Sequence, residues 1–177
     1  MPASRISCCG GGGAVDGTSS VETFADAAER VAAHTGMPCV LLVGPLYAAP
    51  DPQRRGVVAR RATPSQTIDL MADAELVVLG AGSSLYHALA LRKVCVATGA
   101  GGTDQLVRAA TCAARGLVAF ALPDAGSVAD AARALLADPT VRAVMRRRVV
   151  DFGVTNDVPQ ALSAMRQLLT SNVAVMA

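Results

Sequence analysis

The sequence predicts an α/β fold: a doubly wound parallel sheet of about six strands with helices on both faces. Three observations lead there. Short apolar runs alternate with longer helix-patterned segments along the chain. The apolar runs are continuous, not alternating, which is what a sheet buried on both faces requires. Of 177 residues, 52% are hydrophobic and 17% charged, so one domain over residues 1–177 can bury a real core. Aromatics make up only 3%, with no Trp, so Ala, Val and Leu must build that core.

Each element follows from local signals. "RISCC" (5–9) reads as the first strand and ends at Gly10. A helix runs from about Ser20 to Thr35, where Ser19 and Glu22 have capping-box spacing and Gly36 marks the stop. "CVLLV" (39–43) is a second strand, ended by Gly44-Pro45. Residues 45–56 are a polar loop with three prolines, and "GVVAR" (56–60) is a third strand. Thr63 can cap a short helix through about Ala72, with Pro64 at its first position. "LVVLG" (76–80) is a fourth strand and feeds a helix from Ser84 to Leu91. "VCVAT" (94–98) is a fifth strand, followed by a Gly-rich loop (99–105) and a helix ending near Arg115-Gly116. "LVAFAL" (117–122) is a sixth strand; helices follow near 127–137, 140–150 and 158–170.

Composition excludes several functions. A net charge of +2 is too small for a nucleic-acid surface, and Arg146-Arg147-Arg148 reads as the solvated face of a helix. No apolar run reaches the ~20 residues that span a bilayer, and the first residues lack the apolar stretch of a secretory signal. The expected location is the cytoplasm. Five cysteines stand at 8, 9, 39, 95 and 112 without Cys-x-x-Cys spacing. Cys8, Cys39 and Cys95 read as buried thiols, and no metal site is expected.

In open parallel sheets, ligands bind beyond the carboxyl ends of the strands. Three glycine-rich segments fall there: Gly10-Gly11-Gly12-Gly13, Gly80-Ala81-Gly82-Ser83-Ser84 and Gly99-Ala100-Gly101-Gly102. A helix starting at Ser83 or Ser84 offers unpartnered amides and a positive dipole end to an anion, and glycines let it approach. The competing reading is a tight turn with a serine cap. Leu85 stands where G-x-G-x-x-G needs its third glycine, and no G-x-x-x-x-G-K-[ST] exists. The first glycine run is either a flexible connection or a close approach to a ligand, with Asp16 and Thr18 as polar contacts or turn residues. His34 complements the dipole at a helix end, whereas His87 faces either a ligand or solvent. Asp104 is either an N-cap or, with Gln105, a ligand contact. No acid/base pair stands out, so no catalytic residue is assigned.

The stretches 70–98 and 101–122 resemble the carboxyl-terminal half of GT-B glycosyltransferases of the MurG type. They are also similar to the UDP-sugar hydrolase of pseudaminic acid synthesis. Ala72-Asp73-Ala74, Gly80 to Leu85, Ala88-Leu89-Ala90-Leu91, Lys93 and Gln105 carry the match, which extends over about residues 5–168. The resemblance implies a Rossmann-like GT-B half that binds a nucleotide-sugar, usually UDP-linked, as donor substrate and needs no other cofactor. It implies that Gly82-Ser83-Ser84 hold the diphosphate and that Gly10 to Gly13 line it. The segment from Arg60 to Ile68 borders the uracil, and Asp104-Gln105 meet the sugar hydroxyls. His87 stands at the family's ribose-gripping glutamate, Arg92 and Val94 at its Gly and Pro, and Asp104 at its Asn. Imidazole cannot accept two hydroxyl hydrogen bonds as a carboxylate does. A different nucleotide, weak binding and a degenerate site therefore stay open. The acceptor site of a GT-B enzyme lies on an amino-terminal domain, for which this chain has no room. The expectation is part of a glycosyltransferase for hexosyl or N-acetylhexosaminyl transfer, completed by a further domain or a partner subunit. The alternatives are a non-catalytic interaction protein and a stand-alone hydrolase using His87 or Asp104 as base.

Overall fold

A computed structural model describes residues 5–9, 20–154, 162, 163 and 165. The predicted Gly10–Gly13 loop, Asp16, Thr18, Ser19 and most of the helix expected at 158–170 lie outside these residues. Residues 162, 163 and 165 are helical. In chain order the elements are β1 (Ile6–Cys9), α1 (Ser20–Thr35), β2 (Cys39–Leu42), β3 (Val57–Arg60) and α2 (Pro64–Ala72). Then come β4 (Leu76–Gly80), α3 (Ser83–Ala90), β5 (Cys95–Thr98), α4 (Thr103–Ala114), β6 (Ala119–Phe120), α5 (Ala125–Ala137) and α6 (Pro139–Phe152).

The strands form one six-stranded sheet in the order β3-β2-β1-β4-β5-β6, and every pair is parallel. This is the predicted α/β architecture. The chain first winds from β1 outward to β3, then returns to place β4 beside β1 and winds the other way. Cys9 pairs in register with Leu79, so the carboxyl ends of β1 and β4 lie together at the point where the order reverses.

Strands β2, β4 and β5 are buried throughout, as their unbroken apolar runs required. Alternate residues feed two cores. Val96 joins Phe24, Val31 and Leu135 beneath α1 and α5, while Cys95 and Ala97 join Met71, Leu85 and Val149 on the opposite face. Thr63 caps α2 in a reciprocal capping box with Gln66, and Pro64 opens the helix.

One expectation needs correcting. The sixth strand shrinks from 117–122 to two residues because the Leu117 amide donates to Cys112 O, closing the end of α4 rather than joining the sheet. The polar loop 45–56 is strapped down. Tyr47 is buried and its hydroxyl donates to Glu22, while Arg54 donates to Asp26 at 2.7 Å and to Glu22 at 2.9 Å. Both Glu22 oxygens thus accept from the loop. Cys8, Cys39 and Cys95 are buried, and burial pushes the Cys39 thiol up to about 11. Arg146, Arg147 and Arg148 are exposed. No helix of the described residues is long and apolar enough to cross a membrane.

Candidate anion site at the switch point

The β4–α3 turn is set by backbone bonds. Ala81 N–H donates to Thr98 O at 2.8 Å and Gly82 N–H to Gly80 O at 2.8 Å. Gly82 is the N-cap of α3 in extended conformation, with no side-chain capping bond. This overturns the serine-cap reading: Ser83 and Ser84 are the first two helical residues. Their amides precede any i−4 carbonyl of the helix and have no acceptor among the described residues. An uncapped helix start carries positive partial charge, so the turn offers an anion two free N–H groups and two hydroxyls.

Glycine at 80 is forced by packing. A Cβ there would lie 2.4 Å from Ala100 Cβ, so the β4 and β5 loops touch. Gln105 locks the same contact. Its Oε1 accepts from Ala100 N–H at 3.1 Å, and its Nε2 lies 3.7 Å from where a Gly82 Cβ would sit. The first turn of α4 therefore flanks the first turn of α3.

Asp104 is not an N-cap. Gly102, at φ 72°, occupies that place, and Asp104 lies within the first turn of α4. Its Oδ2 accepts from Arg108 Nη2 at 3.0 Å, while Arg108 Nη1 donates to Ala81 O at 2.6 Å. The guanidinium also lies 5.9 Å from the centroid of the Tyr86 ring. The sequence reading missed Arg108. Its i,i+4 spacing from Asp104 was visible, but its reach to a carbonyl 27 residues away was not.

His87 is exposed on α3, four residues after Ser83 and so on the same helix face. Arg60 is exposed at the end of β3, and Ile68 is half-buried in α2. Arg60 and Gln66 border a hollow of about 300 Å³ with Asp69. Three strand spacings separate β3 from β4, or about 14 Å. The predicted residues 80–84, 104 and 105 are thus brought together, while Arg60 stands apart along the same rim and Ile68 lies midway along α2. A cavity of about 290 Å³ opens beside the site between α1 and the β5–α4 loop, lined by Thr23, Phe24, Thr98, Gly101 and Leu106. Thr98 Oγ1 is buried there without a hydrogen-bond partner among the described residues. His34 sits at the opposite rim, exposed in the last turn of α1.

No protein-family model matches the chain. No curated relative matches it either. Solved structures do match. The calicheamicin glycosyltransferase CalG4 aligns with a TM-score of 0.65 at 21% identity, over 85% of this chain and 39% of its own. The spinosyn rhamnosyltransferase SpnG gives 0.63 at 20% identity, over 94% of this chain and 45% of its own. A putative UDP-N-acetylglucosamine 2-epimerase from Listeria monocytogenes gives 0.68 at 10% identity, over 96% and 46%. The chain has the Rossmann-like α/β fold of GT-B glycosyltransferases and spans less than half the length of these three structures.

Proposed function

We propose that the chain is the nucleotide-sugar-binding half of a GT-B glycosyltransferase, with a UDP-sugar as donor. The observation that carries this reading is the uncapped start of α3 at the switch point, where the Ser83 and Ser84 amides lack acceptors among the described residues. In this reading Gly82, Ser83 and Ser84 hold the diphosphate, with Gly80 keeping the turn open. Asp104 and Gln105 meet the sugar hydroxyls from the neighbouring helix start. His87 faces the ribose, and the Arg60–Ile68 segment borders the base. The acceptor and the catalytic base come from an amino-terminal GT-B domain or a partner subunit, so the chain alone binds donor without turning it over. The resemblance at 71–105 and the glycosyltransferases among the matched structures support this choice of ligand. Calorimetry with UDP and UDP-GlcNAc tests it. Binding below millimolar is expected; no binding at millimolar nucleotide, with the protein folded, overturns the reading.

A second reading keeps the fold and drops the ligand. It is favoured by one observation: an exposed imidazole, His87, stands where the family resemblance calls for a carboxylate. His87→Glu separates the two. A variant that binds UDP where the parent does not supports degeneracy, and tight binding by the parent excludes it.

A further inference from the structure

Arg108 is the one arginine of the described residues joined by a hydrogen bond to the β4–α3 turn. One nitrogen sits on Ala81 O, immediately before the N-cap Gly82, and another on the Asp104 carboxylate. The Asp104 side chain is 66% exposed and stands in the first turn of α4, beside the turn that offers its amides. A free carboxylate there would repel any anion approaching Ser83 and Ser84. A guanidinium fixed to Ala81 O cancels that charge where the ligand would enter.

We propose that Arg108 is a specificity-determining residue of this site: anchored on the Ala81 carbonyl, it neutralises Asp104 and so admits a diphosphate in preference to a less charged ligand. The proposal rests on the donor-binding reading above. Its logic is electrostatic. Without Arg108, the positive helix end and the Asp104 carboxylate oppose each other, and the penalty grows with ligand charge. With both side chains neutral, the amides act alone. With Asp104 neutral and Arg108 kept, the anion gains an uncompensated cation.

The test measures Kd for UDP and UMP on the whole chain by calorimetry, for the parent, Arg108→Gln, Asp104→Asn, the double variant and Arg108→Lys. Neither ligand carries the transferred sugar, so loss of a hydroxyl contact to that sugar at position 104 does not enter. Arg108→Gln is expected to weaken UDP about tenfold and UMP about threefold, the size of a single partly screened charge interaction. The double variant recovers most of that loss, Asp104→Asn binds UDP more tightly than the parent, and Arg108→Lys stays within about threefold of it. A parent that binds UDP while Arg108→Gln binds it equally well overturns the proposal alone. So does a loss that is equal for UDP and UMP, or a double variant no better than Arg108→Gln; those mark a structural prop for the turn. Thermal melts of each variant identify any that fail to fold, and Arg108→Lys then carries the comparison through its charge. A parent that binds neither nucleotide removes the donor-binding reading and this one with it.

Discussion

Arg92 is the one non-glycine with positive φ among the described residues, at 57°. The reason lies in how α3 ends. Arg92 N–H donates to Leu89 O and Lys93 N–H to Ala88 O, the paired bonds of a Schellman motif whose left-handed residue is normally glycine. The end of α4 repeats the motif with the expected residue: Gly116 N–H donates to Ala113 O and Leu117 N–H to Cys112 O, with Gly116 at φ 68°. A left-handed L-residue costs about 1–2 kcal/mol, and glycine gives back roughly half of that through unfolded-chain entropy. Arg92→Gly should therefore raise stability by about 0.5–1 kcal/mol, read as a higher urea midpoint with unchanged slope. A lower midpoint would mean that the arginine side chain contributes more than its backbone loses. Gly80 predicts the opposite sign. Its Cβ would press to 2.4 Å on Ala100 Cβ, and both atoms are tied to backbone. Gly80→Ala should cost about 1–3 kcal/mol, as overpacking does, and should also part the two loops of the site. Binding that survives a normal loss of stability would show that the loops need not touch.

At the scale of elements, the strap between α1 and the β2–β3 connection is a testable unit. Arg54 lies near Glu22, Asp26 and Glu29, and Arg61 ties Asp51 and the Tyr47 carbonyl from the other side. These groups are partly exposed, so their worth is modest. Arg54→Ala should cost about 1 kcal/mol, shrinking at high salt, and should speed proteolysis within 45–56. Equal cleavage of parent and variant would mean that buried Tyr47 holds the loop by itself. The neighbouring strand β2 supplies a pH signature. Burial raises the Cys39 thiol to about 11 from an ordinary 9.0, so the folded protein holds this proton more tightly than the unfolded chain. That stabilisation is complete below pH 9 and is lost as pH rises to about 11, a swing of about 2–3 kcal/mol. Tyr47, raised chiefly by its bond to Glu22, adds a loss of the same sign, whereas Lys93, lowered by burial, acts oppositely. Cys39→Ala should flatten the stability profile between pH 9 and 11 relative to the parent. An unchanged profile would assign the alkaline loss to Tyr47 and to Cys112, whose thiol burial also raises.

Over the whole molecule, the sheet was legible because burial on both faces leaves a direct trace in composition. Leu76 to Leu79 carry only apolar side chains, and the structure buries every one of them. Thr63 and Pro64 were legible because capping is local. Two contacts that escaped were long-range, Arg108 reaching Ala81 and Arg54 reaching α1, while Gly82 took the cap that the adjacent Ser83 and Ser84 invited. The strand order escaped as well, since it depends on which edge each crossover returns to. That order decides where function concentrates. A cavity of about 470 Å³ at the opposite rim, between His34, Glu75, Arg133 and Arg142, is larger than the one of about 290 Å³ between α1 and the β5–α4 loop, although one of about 520 Å³ lies beside Tyr86, Asp104 and Arg108. The cations of the opposite-rim cavity are already engaged, however: Arg142 donates to the carbonyls of Leu135 and Leu136 at the end of α5, and Arg133 pairs with Asp130. The free amides lie at the carboxyl rim instead. Hydrogen exchange with and without saturating UDP distinguishes the two rims. Protection should rise at 81–85 and 100–106 and stay unchanged at 34–37 and 136–142, because the donor-binding reading places the diphosphate on the amides at the start of α3. Protection confined to the second pair would move the ligand to the far end of the sheet and leave the α3 amides as a turn with no ligand.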